Sequence, residues 1–292
     1  MKIIETNILD AMQIHDITIL IKDCFAYDGL QNEAFLSNEI NFNQNLACFY
    51  LGYEDSKLVA FLTTFMPQSH EAEIIAYTHP AYRRQGRFNQ LYQTAVSVLL
   101  PAGITQVLFV VEPVSKTGEQ VLQKKEGITF ERSEYRMQHT DKTKIPSHSN
   151  LLLMNVSTMN QEECIKLTRE IFDMSEEENQ NFIQNAMDSK DRAIYLTYYK
   201  NEPMGTFNIH YEANHAFLYG LGIKPCMQGK GFGKQLLGLA LETAYQKKKR
   251  VVLDVDSNNP PAYELYRKSG FVTSFQVDYY CLNLEQKYNN SH

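Results

Sequence analysis

A turn with three glycines, Gln228-Gly229-Lys230-Gly231-Phe232-Gly233, sits between an apolar run and a helical pattern, and it restricts what the surrounding chain can form. The run before it, Ala216–Ile223, is too short for a core helix, and its glycines fit a strand that bulges or admits another backbone. Pro225 stops that strand. Beyond the turn, Phe232, Leu236, Leu239 and Ala240 recur at the spacing of one helix face. A strand-to-helix turn of this kind gathers unpaired N–H groups at the positive end of the helix dipole, which suits a phosphate or pyrophosphate. The expected anion contacts are Gln228, Gly229, Gly231, Gly233 and Lys234. A P-loop is excluded, because Lys224 and Gln228 stand where its first glycine must be for the two Gly-Lys pairs. A dinucleotide-binding Gly-x-Gly-x-x-Gly cannot be completed from Gly229 or Gly231 either.

A buried-looking strand, Val251–Val255, follows the helix; then Asp256–Pro261 reads as a helix start, and Gly270-Phe271 as its stop and the next strand. Gln228-x-x-Gly231-x-Gly233 together with Asn259-x-x-Ala262-x-x-Leu265-Tyr266-x-x-x-Gly270-Phe271 resembles the GNAT superfamily of acyl-CoA-dependent N-acyltransferases. The resemblance implies a mixed α/β fold in which coenzyme A wedges between two splayed parallel strands. It further implies that Leu221 and Ile223 offer strand backbone to the pantetheine arm, that Asn259 offers its amide, and that Tyr266 protonates the departing thiolate. A phenol with an ordinary pKa of about 10 can donate to a thiolate of about 8.5 in a dry site. Tyr266 would equally serve as a buried core tyrosine. Asp254, twelve residues before Tyr266, occupies a spacing at which some members of the superfamily place the base that deprotonates the acceptor ammonium. Its competing reading is a carboxylate that braces a loop.

The motif occurs twice. Arg83-Arg84-Gln85-Gly86-Arg87-Phe88 precedes the helical pattern Asn89–Leu100, and the offset 231 − 86 = 145 also pairs Pro80 with Pro225, Arg83 with Gln228 and Leu91 with Leu236. At 292 residues the chain has room for two domains. A tandem duplication of the GNAT fold is therefore expected, each half a central mixed, mostly antiparallel sheet flanked by helices, with domains 1–140 and 150–292 joined by the polar segment His139–Asn150. A short strand Lys2–Thr6, a helix from Ile8 to about Cys24, a further helix in the thirties and two β-hairpins fill in the pattern. The N-terminal copy has Phe88 in place of Gly233 and Gln123 in place of Tyr266, so it is expected to be catalytically silent and to shape the acceptor site.

A net charge of −6 argues against nucleic acid or an anionic membrane as the main partner, and no stretch reaches 18 apolar residues. Five widely spaced cysteines without a Cys-x-x-Cys pair indicate neither a disulfide framework nor a metal cluster, and with an acidic amino terminus they suggest a cytoplasmic protein. The resulting expectation is acetyl transfer from acetyl-CoA to a primary amine of a small molecule or peptide, without a metal, carried by the C-terminal half. A non-catalytic acyl-CoA sensor and an aminoacyl-tRNA-using peptide ligase are the alternatives; the second needs a basic RNA surface that this composition lacks. The acceptor and the oligomeric state are left open.

Overall fold

A computed structural model describes residues 1–146, 149–172 and 174–285. These form two compact units, one of Met1–Glu134 with the chain from Phe275 onward, the other of Tyr135–Ser274. The contiguous halves 1–140 and 150–292 are thus interleaved, because β6 (Thr129–His139) and β12 (Phe271–Asn283) each pass from one unit to the other.

In the first unit, β1 (Lys2–Thr6) leads to α1 (Ala11–Asp28), which opens with a capping box: Gln13 N–H donates to the Asp10 carboxylate at 2.8 Å, and Asp10 N–H to the Gln13 side chain at 3.0 Å. Both donors would otherwise be orphaned at a helix start. Gly29, in the left-handed region at φ 74°, ends the helix. Ile17, Leu20 and Cys24 fall on one face of α1 and are buried. β2 (Phe49–Glu54) and β3 (Lys57–Phe65) form a hairpin whose two turn residues, Asp55 and Ser56, both have positive φ, the handedness that matches strand twist. β4 (Glu71–Thr78), α2 (Arg87–Leu99), β5 (Gln106–Val111) and α3 (Lys116–Leu122) follow. The sheet order is β1-β2-β3-β4-β5-β12-β6, with β4 and β5 parallel and β12 antiparallel to β5. The helix expected in the thirties does not form. Gln31 and Asn32 N–H groups go to the Glu112 carboxylate and Phe42 N–H to the Met66 carbonyl, and local turns such as Asn41 N–H to the Asn38 carbonyl fill in, so residues 30–47 run as a strap rather than a helix.

The second unit repeats the scheme with β7 (Leu152–Asn155), α4 (Gln161–Phe172), α5 (Glu176–Asp188), β8 (Arg192–Tyr199), β9 (Glu202–Tyr211), β10 (Ala216–Ile223), α6 (Phe232–Tyr245), β11 (Val251–Asp256) and α7 (Pro260–Lys268). Its strands run β6-β11-β10-β9-β8-β7, and β10 pairs β11 in parallel. α4 and α5 bury Cys164, Leu167, Ile183 and Ala186 against Ile194 and Leu196 of β8. α6 buries Phe232, Leu236, Leu237, Ala240, Leu241 and Ala244 against the other sheet face. Removing a Phe or Leu side chain from water contributes about 1.5–3 kcal/mol each, so these apolar faces hold the helices in place. The segment expected as a linker is pinned at its start: Thr140 N–H donates to the Gly270 carbonyl at 3.0 Å, and buried His139 bonds the Tyr245 hydroxyl at 2.7 Å and the Ser269 carbonyl at 2.9 Å. Ser147 and His148 lie outside the described residues.

Candidate active site

Each unit carries a strand–turn–helix of the kind expected of an anion site. In the second unit Gly229 and Gly231 have φ of 73° and 83°, and α6 starts at Gly231 without a side-chain cap, leaving its first N–H groups bare. Gln228 donates from its amide to the Ile223 carbonyl at 3.2 Å and so ties the turn to the end of β10, while Lys234 is exposed on the first turn of α6. Gly233 lies inside α6 rather than in the turn. A Cβ at Gly233 would stand 3.5 Å from Leu265 Cδ2 and 3.9 Å from Ile223 Cδ1, so the glycine leaves room for about a methyl group between α6, α7 and β10. Asn259 caps α7, its side-chain oxygen accepting from Ala262 N–H at 3.2 Å. Leu221 is half-buried beside the β10 bulge between Tyr219 and Gly222.

Tyr266 is 7% exposed, packs on Phe271 and is pushed up to about 12 by burial, which keeps its phenol protonated at neutral pH. It belongs to the cluster that includes Leu253 and Val255 of β11. Asp254, between those two, faces the opposite side of the strand, where both carboxylate oxygens are taken by the Arg136 guanidinium (Nη2 to Oδ2, 2.9 Å). The structure therefore groups Tyr266 with the α6 face and Asp254 with Arg136 and Phe217, whose ring lies 5.2 Å from that guanidinium.

The first unit holds a cleft at its own turn. Its turn has Arg84 at φ 60° and Gly86 at φ 79°, and α2 also starts without a side-chain cap. The parallel ladder between β4 and β5 ends at Ile74 opposite Phe109. Past that point the strands diverge around a cleft of about 560 Å³, lined by Ile75–Thr78 of β4, Val110–Glu112 at the end of β5, Arg84 and Gly86 of the turn, and Lys124 and Lys125 after α3. Arg83 forks onto Asp28 (Nη1 to Oδ1, 2.9 Å) and donates from Nε to the Thr78 carbonyl at 2.9 Å, which fixes the turn against α1 and β4. Bare helix N–H groups, basic side chains and a strand edge opening on one cavity fit a coenzyme A thioester. Cys24, on the cleft wall, is pushed up to about 11 by burial and stays a neutral thiol near pH 7.

Glu73 is the titratable group that spacing alone did not reveal. It stands one residue before the cleft-lining run of β4, on the same strand face as Ile75 and Tyr77. Burial, with repulsion from Glu134, raises its carboxyl to about 7; nearby Arg132 offsets part of this. The signal in the sequence was weak: a glutamate on a strand of otherwise apolar character, two residues after Glu71.

The sequence pattern of the acetyltransferase (GNAT) family matches residues 14–119 and again 160–271. The chain belongs to this family. Its two matched regions make it a tandem GNAT protein, and acyl transfer from a coenzyme A thioester is the chemistry that membership supports. No curated protein is significantly similar in sequence. Among solved structures, a GCN5-related N-acetyltransferase from Sphaerobacter thermophilus is 17% identical, covering 92% of each chain at a TM-score of 0.74. A tandem GNAT protein from the clavulanic acid biosynthesis pathway is 12% identical, covering 97% of this chain and 98% of its own at 0.72. A GNAT-family acetyltransferase from Colwellia psychrerythraea is 16% identical, covering 97% and 100% at 0.68. At these identities the likeness is one of fold. Among the described residues no helix is long and apolar enough to cross a membrane.

Proposed function

We propose that the protein transfers an acetyl group from acetyl-CoA to a primary amine, and that the thioester is bound in the cleft of the first unit rather than at the turn of the second. The observation that carries this reading is the opening of about 560 Å³ that joins the uncapped start of α2 to the diverging ends of β4 and β5. The coenzyme supplies an activated carbonyl. The chain's part is to bind its phosphates at the Gly86 turn and with Arg84, and to line its arm with the free edge of β4. Glu73, with a carboxyl near neutrality, takes the proton of the incoming ammonium, since a base is most effective when its pKa lies near the working pH. Gln123, where the second unit has Tyr266, cannot donate as a phenol does, but the ammonium groups of Lys124 and Lys125 line the same wall and favour the departing thiolate.

A second reading keeps the coenzyme at Gly231 and uses Tyr266 as proton donor. It is favoured by the bare start of α6 and by the protonated phenol. Calorimetry with acetyl-CoA separates the two. Arg84→Glu should weaken binding at least tenfold, about 1.4 kcal/mol, while Gly231→Ala leaves it within about twofold. The reverse pattern, in folded variants, moves the site to the second unit. Thiol release with a panel of amines then distinguishes an enzyme from an acyl-CoA sensor, which binds without turnover.

A further inference from the structure

The gap between the diverging strands of the first unit is spanned by a peptide from a distant part of the chain. Ile74 and Phe109 are the last partners of the β4–β5 ladder, an offset of 109 − 74 = 35, and continuing that offset sets Tyr77 level with Glu112. Between these two side chains lies the start of the strap. Glu112 Oε1 accepts the N–H groups of both Gln31 and Asn32 at 2.8 Å, and the Tyr77 hydroxyl donates to the Asn32 carbonyl at 2.6 Å. One residue, Asn32, is therefore tied to β4 through its carbonyl and to the end of β5 through its N–H. Glu112 is only 7% exposed, and a carboxylate so buried is tolerable only when it is hydrogen-bonded, so the two N–H donors and the carboxylate depend on one another. Leu30 and Asn32 of the strap line the cleft beside Tyr77 and Glu112.

The corresponding place in the second unit is built differently. Its ladder ends at Leu218 opposite Leu253, and three residues on, where the first unit has Glu112, stands Asp256. Asp256, one methylene shorter, accepts from Asn258 N–H at 2.7 Å within its own turn.

We propose that the Gln31–Asn32 segment is a crosspiece that holds β4 and β5 apart and keeps the first unit's cleft open before any ligand arrives, with Glu112 as the positioning residue that fixes it. The proposal rests on the reading that acetyl-CoA enters this cleft. Its physical basis is preorganisation: a gap already propped open spares the ligand the cost of separating two strands that would otherwise close on apolar contacts.

The test combines amide hydrogen exchange on the free protein with calorimetric titration of acetyl-CoA. Glu112→Ala should speed exchange at Gln31 and Asn32 by at least about tenfold and weaken acetyl-CoA binding by about tenfold. Glu112→Gln should stay within about threefold of wild type on both measures, because a neutral amide oxygen still accepts from two N–H groups. A residue whose role is its charge would fail that rescue. Tyr77→Phe, which keeps the ring in place, should weaken binding by about threefold, and adding it to Glu112→Ala should cost little more, since both act on Asn32. If exchange at Gln31 and Asn32 accelerates in Glu112→Ala and Tyr77→Phe while affinity is unchanged, the strap is not a prop and the proposal is overturned. Arg84→Glu keeps the two levels distinct. Loss of binding there with none in the Glu112 and Tyr77 variants rejects the crosspiece alone, whereas no loss in Arg84→Glu rejects the placement of the coenzyme itself.

Discussion

Two carboxylates on one sheet-bearing fold meet opposite fates, and the difference lies in their neighbours. Asp254 is held in a two-point ion pair with Arg136, whereas Glu73 is buried beside another carboxylate and is driven toward neutrality. The sign of the effect on stability follows. The folded-state value for Glu73, about 7, lies above its ordinary 4.5, so its contribution is fully present below about pH 4.5 and is lost as pH rises through 7. Glu73→Gln should therefore stabilise the protein at pH 8 by on the order of 2 kcal/mol and change little at pH 4.5, as read by urea melts at the two pH values. The same variant should lower kcat/KM at pH 7 by 10² or more and remove an acidic limb near pH 7 from the rate profile. Full activity in Glu73→Gln would leave another group as the base.

At the scale of the element, the helices divide by how their first turns are satisfied. α1 is closed by its own side chains through the Asp10–Gln13 box, whereas α2 and α6 begin at left-handed glycines with no side-chain cap. A closed start serves stability and an open one leaves donors for a ligand. Asp10→Ala should cost about 1 kcal/mol in urea unfolding with no change in acetyl-CoA affinity, because α1 anchors Ile17, Leu20 and Cys24 in the core but its first turn does not line the cleft. A destabilisation under about 0.3 kcal/mol would mean that solvent caps the helix equally well.

For the whole molecule, the consequential fact is how the chain is shared between its compact units. The first unit needs residues from Phe275 onward, since β12 lies against β5 from Asp278 paired with Val111 to Asn283 paired with Gln106. Val277 and Tyr279 pack there on Leu108 and Val110. A chain truncated after Ser274 should lose amide protection first in β5 and β4, and with it acetyl-CoA binding, while β8 to β10 keep theirs. A fragment of residues 1–140 should likewise fail to fold alone, for want of the strand beside β5. Cooperative unfolding and native-like circular dichroism in that fragment would contradict this account.

The sequence alone determined what depends on short-range geometry. Glycine and proline spacing placed both strand–turn–helix motifs, the positive-φ pairs Asp55-Ser56 and Lys200-Asn201 placed two hairpins, and the 145-residue offset announced a duplicated GNAT fold, because backbone conformation at such positions is set by the residues themselves. Tertiary structure decided that the Gly86 turn borders a cleft. That cleft is bordered by Glu112, which reaches back 80 residues to the Asn32 N–H, a pairing that no local spacing encodes. It also decided that Asp254 meets Arg136 across 118 residues, that Gln31, Asn32 and Phe42 hydrogen-bond to Glu112 and Met66 instead of continuing a helix, and that Glu73 is buried beside Glu134. Charge, burial and hydrogen-bond partners are properties of what surrounds a residue, and the surroundings exist only once the chain has folded.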